Sequence, residues 1–308
     1  MFVTDYTKHL LDHVKKIHFI GCGGSGMYPL IQILNAKGYV ISGSDVLDGS
    51  IIQYEREMGV KVSLGHSADN VIGTDLVVYS AAISKDNVEL NAAASYGIPT
   101  VERSVLLGYV SRLYKDSICV SGTHGKTTTT SLTDYLLKAS GEASVAVGNI
   151  GEPPINEIDG RAHNEWFVAE LSSYQIATTT ELHPRVAVLL NITPDHLGWH
   201  KSHKNYALAK IKLFDNMVDD DLVVVDVEDA GIHEFDEYIY TPGRRICKVA
   251  FDEPEGEDVA FVRDGKMIVR LKGVETPLIA TSELKISGHH NVINALCAAT
   301  AVLAVGAN

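Results

Sequence analysis

The sequence predicts an α/β protein made of two blocks, each a mostly parallel sheet flanked by helices. Three observations carry that prediction. Short apolar runs alternate with helical patterns along the chain, and strands alternating with helices require crossover connections and parallel pairing. A glycine-rich turn, Gly21-Cys22-Gly23-Gly24-Ser25-Gly26, directly follows the first apolar run, and a second, Gly122-Thr123-His124-Gly125-Lys126-Thr127, directly follows a later one. The expected division is a Rossmann-like domain over residues 1–114 and a P-loop-type domain with a mostly parallel sheet over residues 115–308.

In the first block, Lys16–Ile20 reads as a short buried strand, Met27–Lys37 as a helix and Tyr39–Ser42 as the next strand. Asp45 then falls roughly twenty residues beyond the glycine turn, the spacing of a dinucleotide-binding fingerprint with its acidic residue. Strands are expected at Val60–Val62, Leu76–Ser80 and Ile98–Val101. The glycine turn reports phosphate rather than nicotinamide. A dinucleotide and any other pyrophosphate-bearing ligand therefore both fit it, and an NAD-dependent oxidoreductase stays open at this point.

In the second block, Ser117–Val120 leads into the second glycine turn, and Thr129–Lys138 continues as a helix. Strand, glycine turn and helix together form a phosphate-binding loop, in which backbone N–H groups and the helix dipole attract an anion. Gly122 and Gly125 allow close approach, Lys126 reaches the terminal phosphates, and Thr127 offers a hydroxyl to Mg²⁺. Val120 stands where the first glycine of the usual spacing belongs, so the loop is a shortened one. The chain is thus expected to bind a nucleoside triphosphate. Further strands are expected at Trp166–Glu170, Val186–Asn191 and Leu222–Asp226, with a helix over Tyr206–Asn216. Ligands of open parallel sheets sit at the carboxyl ends of strands. Glu170 is therefore a candidate Mg²⁺ ligand, and His196, in Asn191-Ile192-Thr193-Pro194-Asp195-His196, lies beside the same crevice, where either a metal-binding or a structural role fits it. His200 and His203 read equally well as solvated, and Lys210 as a surface lysine with its stem on an apolar helix face.

Composition narrows the function classes. The 308-residue chain is 45% hydrophobic, enough for two cores, and its net charge of −13 argues against a nucleic-acid partner. No run is long and apolar enough for a membrane span, and the first sixteen residues lack a signal-peptide pattern. Cys22, Cys119, Cys247 and Cys297 are scattered in apolar or strand-like contexts, which fits reduced, buried thiols and a cytoplasmic location.

Taken together, five ordered motifs resemble the Mur ligases, the ATP-dependent amino-acid ligases of peptidoglycan precursor synthesis. They are Gly122–Thr128, Glu170–Gln175, Asn191–Leu197, Tyr206–Lys210 and Gly288–Leu296. The first block resembles the L-alanine-adding branch through Gly21–Met27, Ser42–Asp45, Gly65-His66, Ser80–Ile83 and the His124 form of the loop. From about Gly148 onwards the chain resembles the D-glutamate-adding branch through Gly148–Gly151, Glu170–Ser173 and the Lys210 segment.

The resemblance implies a carboxylate activated as an acyl phosphate and then joined to an amine, with ADP and phosphate released. It implies ATP contacts at Gly122, Thr123, His124, Gly125, Lys126, Thr127, Thr128 and, for adenine, Asn291. It implies Mg²⁺ at Thr127 and Glu170, a second metal at His196, and catalytic roles for Lys126, Glu170, His196 and Lys210. Lys210 is by the family pattern a candidate for carbamylation, which would make it a metal ligand. The UDP-N-acetylmuramoyl substrate would lie at Gly21, Gly23, Gly24, Ser25, Gly26, Met27 and Asp45, with Asn149 at the muramoyl end. The expected reaction is addition of D-glutamate to UDP-N-acetylmuramoyl-L-alanine; the alternative is addition of L-alanine to UDP-N-acetylmuramate. Mur ligases resemble three-domain proteins whose third domain follows the Asn291 helix. A chain ending at Asn308 is accordingly expected to be a two-domain fragment that binds nucleotides and is inactive alone.

Overall fold

The computed structural model describes residues 10–24, 26–147 and 164–307. These fall into two compact units, one of residues 10–113 with 178–182, the other of residues 114–147, 164–177 and 183–307.

The first unit runs β1 (Lys16–Ile20), α1 (Tyr28–Ala36), β2 (Val40–Asp45), α2 (Ser50–Glu57), β3 (Lys61–Leu64), β4 (Leu76–Tyr79), α3 (Val88–Tyr96), β5 (Thr100–Glu102) and α4 (Arg103–Ser111). Its described strands form one sheet in the order β3-β2-β1-β4-β5, every pairing parallel. The order reverses direction at β1, so the loop after β1 opens at the point where such sheets hold ligands. Helix α1 is apolar nearly all round, and Tyr28 through Leu34 are buried. Strand β2 runs three residues beyond the expected Ser42 and ends on Asp45. Helix α3 carries little apolar periodicity and escaped the sequence reading. It is held by its ends, with the Asn87 side chain accepting from the N–H groups of Glu89 and Leu90, and Gly97 closing it in the left-handed region. Under it Glu89 is fully buried and accepts from Ser44 Oγ at 2.6 Å and from Asn70, with His66 Nδ1 at 3.0 Å.

The second unit runs β6 (Asp116–Ser121), α5 (Lys126–Ala139), β7 (Ser144–Val147), β8 (Trp166–Glu170), α6 (Ser173–Thr178), β9 (Val186–Leu189), α7 (Leu197–His200), α8 (His203–Ile211), β10 (Leu222–Asp226), α9 (Ala230–His233), α10 (Asp236–Ile239), β11 (Arg245–Val249), β12 (Val259–Arg263), β13 (Lys266–Leu271), β14 (Val274–Ala280) and α11 (His289–Ala304). The described strands are ordered β14-β13-β12-β11-β10-β9-β6-β8-β7, parallel from β7 through to β12 and antiparallel at the β12–β13–β14 edge. Central strands such as β6, β8 and β9 are buried on both faces, hence their continuous apolar runs. Residues of α5 and α11 join those strands in one core, with Ile118, Val168, Val188, Leu137 and Leu296 all at 0% exposure. The Val186–Asn191 run ends as a strand at Leu189. Leu190 still donates to Ser121 O, but Asn191 leaves the ladder to face the loop after β6. No helix among the described residues is long and apolar enough to cross a membrane, and the four cysteines are buried and free of disulfides.

Candidate active site

In the second unit, the phosphate loop connects β6 to the N-terminus of α5. Neighbouring strands bring Glu170 and Asn191 to either side of it, since Val120 pairs with Glu170 and Ser121 with Leu189. Helix α5 starts at Lys126, three residues earlier than its apolar pattern suggests, because Gly125 caps it at φ 80°. A Cβ there would be strained and would meet Asn294 Oδ1 at 2.6 Å, so the close approach of α11 requires glycine.

The charged side chains converge on this loop. Lys126 Nζ donates to Thr123 O at 2.9 Å, and Lys210 Nζ donates to Gly122 O at 2.6 Å. Thr127 Oγ1 donates to Glu170 Oε2 at 2.8 Å, and Glu170 is buried. Burial lowers the pKa of Lys126, against the opposing pull of Glu170 and Asp195. Lys210, expected at the surface, is 1% exposed. Burial first, and then the charge of Lys126, push its pKa down to about 7, and among the described residues no carboxylate lies within ion-pair distance. Its amine stands 4.7 Å from the centre of the Tyr206 ring. The sequence default failed because α8 turns this face towards the loop rather than towards water.

His196 adopts a left-handed backbone at φ 52°, lies half exposed, and has its ring 3.4 Å from Asp195 and 5.0 Å (centroids) from Tyr174. His200 is instead buried and bonded to Ser173 Oγ at 2.9 Å. Asn291 lies in the first turn of α11, donating to Ser287 O at 2.7 Å and accepting from Asn294. His124 N–H and Thr123 N–H both donate to Asn191 Oδ1. Thr128 continues the first turn of α5.

A divalent cation beside this loop needs oxygen or nitrogen donors. Among the described residues no three His, Cys, Asp or Glu side chains group closely enough to cage a metal. What is present is the hydroxyl–carboxylate pair Thr127–Glu170. That set fits Mg²⁺, which keeps waters and relies on one or two carboxylates together with phosphate oxygens.

The first unit's glycine turn is braced differently. Gly21 at φ 77° and Cys22 both donate to Ser44 O, and Met27 donates to Gly24 O at 2.8 Å. Asp45 uses both carboxylate oxygens on the backbone, accepting from Gly23 N–H at 2.9 Å and Leu47 N–H at 3.0 Å. The Met27 side chain is core, at 1% exposure. Ser25 and Asn149 lie outside the described residues. Sequence reasoning missed Arg103, the first residue of α4, whose Nη1 lies 3.4 Å from Gly26 O with no carboxylate in ion-pair range among the described residues. It also missed Glu55, fully buried on α2, which burial raises to about 7; its nearest polar influence is the Cys22 thiol.

Residues 120–302 match the Mur ligase middle domain, and residues 16–115 match the Mur ligase family catalytic domain. The UDP-N-acetylmuramate–L-alanine ligase of Acetivibrio thermocellus is 36% identical over 301 residues, covering 95% of this chain and 62% of its own. That of Caldanaerobacter subterraneus is 35% identical over 310 residues, covering 96% and 64%. The chain therefore spans less than two thirds of the length of either relative. Among solved structures, the UDP-N-acetylmuramate–alanine ligase of Thermotoga maritima superposes with a TM-score of 0.68 at 27% identity, covering 94% of this chain and 65% of that one. A UDP-N-acetylmuramate:L-alanyl-γ-D-glutamyl-meso-diaminopimelate ligase from Neisseria shares the fold, with a TM-score of 0.75 at 22% identity over 95% of this chain and 94% of that one.

These relatives favour the alternative, L-alanine, over D-glutamate, since both curated proteins are named for L-alanine and match across both blocks. Of the segments that suggested D-glutamate, Glu170–Ser173 and the Lys210 segment stand beside the phosphate loop, and Gly148–Gly151 lies outside the described residues.

Proposed function

The chain belongs to the Mur ligase family, and on that premise we propose that it takes part in the ATP-dependent joining of L-alanine to UDP-N-acetylmuramate. The observation that carries this reading is the 36% identity to an L-alanine ligase, running through both the glycine turn and the phosphate loop. The alternative, D-glutamate addition, has the Gly148–Gly151, Glu170–Ser173 and Lys210 segments behind it but neither of these relatives.

In this reading the catalytic work is placement and charge neutralisation at the γ-phosphoryl group. Gly122 to Thr128 cradle the phosphates, and Lys126 exchanges Thr123 O for the terminal phosphate oxygens. Thr127 and Glu170 hold Mg²⁺, which offsets charge on the phosphates when bound, and His196 holds a second metal. Lys210 fits carbamylation, in which the neutral amine attacks CO₂ and sheds a proton to leave an anion. Its burial and the nearby Lys126 charge favour the neutral amine that this step requires. Asn291, at the start of α11, contacts adenine. In the first unit, the Gly21–Gly26 turn takes the UDP pyrophosphate at the carboxyl end of β1, Asp45 holds the turn, Arg103 supplies the cation, and Asn149 lies towards the muramoyl end.

The test is product identification by mass spectrometry with Mg-ATP and either UDP-N-acetylmuramate plus L-alanine or UDP-N-acetylmuramoyl-L-alanine plus D-glutamate. The assay is run on this chain and on a natural protein carrying it. Expected from the natural protein is an L-alanine amide together with ADP and phosphate, and from this chain alone nucleotide binding without product. An amide formed only from UDP-N-acetylmuramoyl-L-alanine and D-glutamate would overturn the choice of substrate.

A further inference from the structure

One side chain makes three of the bonds that tie the phosphate loop to the rest of the second unit. The Asn191 carboxamide sits directly against the loop backbone. Its Oδ1 accepts from Thr123 N–H at 2.8 Å and from His124 N–H at 2.7 Å, while its Nδ2 donates to His124 O at 3.1 Å. Thr123 N–H also approaches Asn191 O at 3.1 Å. The next residues continue the strap. Thr193 N–H donates to Thr123 Oγ1 at 3.0 Å, and Tyr206 OH lies 3.0 Å from the same hydroxyl.

Two consequences follow from that count of donors. First, the N–H groups of Thr123 and His124 already have protein acceptors, so they do not serve a phosphate. The first N–H of α5 to find a helical acceptor is Thr129, bonded to Gly125 O. Gly125 at the cap, with Lys126, Thr127 and Thr128 in the first turn, carries N–H groups left for an anion. Second, the two carbonyls that receive the lysines, Gly122 O and Thr123 O, belong to the peptide stretch that Asn191 fixes. In a loop shortened at Val120, a side chain from the neighbouring strand supplies the restraint that a longer loop would supply with its own backbone.

We propose that Asn191 is a positioning residue for phosphoryl transfer: it fixes the Thr123–His124 peptide, thereby setting Lys126 and confining phosphate contact to Gly125 and the first turn of α5. This rests on the reading of the loop as an ATP site.

Amide hydrogen exchange on the unaltered chain reads the donor assignment directly. Thr123 and His124 amides should be protected without nucleotide and unchanged by Mg-ATP, whereas Lys126, Thr127 and Thr128 should gain protection. The second arm uses Asn191→Ala, Lys126→Ala and the double variant, with Mg-ATP, Mg-ADP and AMP as probes in calorimetry. Asn191→Ala should weaken Mg-ATP by about tenfold or more while AMP stays within about twofold. The double variant should lose much less than the product of the two single losses, because Asn191 acts through Lys126. Independent losses, an equal loss of AMP, or nucleotide-induced protection at Thr123 and His124 would overturn the proposal. An unaltered chain that binds no Mg-ATP would instead bring down the ATP reading itself, and this inference with it.

Discussion

The two glycine turns of this chain share a local plan and differ in the charge behind it. Each follows a buried strand, opens a helix and sits where strand order reverses. Behind the turn after β6 stand two lysines, Lys126 and Lys210, and the Thr127–Glu170 pair. Behind the turn after β1 stand Asp45, spent on backbone N–H groups, a buried Glu55 and the cation Arg103. The backbone of such a turn says only that an anion binds. On the proposed reading the surrounding charges set how much anion each would take: a triphosphate with its metal at the second, a pyrophosphate diester at the first.

The sharpest way to break this comparison is to remove the cation from each turn in turn. Lys126→Ala should weaken Mg-ATP by roughly a hundredfold, about 2–3 kcal/mol for a lost charge-assisted contact, and leave UDP binding unchanged. Arg103→Ala should do the converse more mildly, with about a tenfold loss of UDP affinity and none for Mg-ATP. Calorimetric titration of both variants with both ligands checks the crossover, and either variant weakening both ligands would contradict the division of labour.

A smaller effect separates the two buried carboxyls of the first unit. For Glu89, burial works upward, but bonds from His18, Ser44 and Asn70 win and hold it down to about 2. Glu55 lacks such donors. Burial raises it to about 7, the Cys22 thiol lowers it only in part, and Asp45 adds to the rise. A carboxyl raised in the folded state imposes no cost below its unfolded pKa. The cost sets in as pH climbs past that value and is complete above about 7. Glu55→Gln should therefore raise the melting temperature at pH 8, where it relieves a cost of order 1 kcal/mol or more, and change it little at pH 5. Melting curves at the two pH values decide it. A variant equally stabilised at both, or destabilised at pH 8, would show that Glu55 is ionised without penalty.

Much of this was legible in the sequence, for reasons that differ by region. Strands β1, β6, β8 and β10 were readable because strands covered on both faces are uninterrupted apolar runs. Both turns were readable because glycine spacing reflects backbone geometry directly. Lys210 was not readable as buried, because a lysine on an amphipathic helix looks the same whether its face meets water or a loop from another strand. Arg103 and Asn191 were missed as site residues for a related cause: each reaches its turn from the end of a different element, 77 and 67 residues away from Gly26 and His124 in sequence. Strand β14 was hidden by its alternating exposure at the sheet edge, whereas β12 and β13 are short buried apolar runs that the sequence reading passed over.

The central claim is that one chain presents two nucleotide sites of different phosphate chemistry. Thermal melting with Mg-ATP, UDP-N-acetylmuramate and NAD, alone and in pairs, tests it most directly. Mg-ATP and the UDP-sugar should each stabilise the chain, by about 2.7 kcal/mol at one hundred times the dissociation constant, and the two shifts should add. NAD should give none. Stabilisation by NAD with none by the UDP-sugar, or two ligands that compete rather than add, would contradict the account.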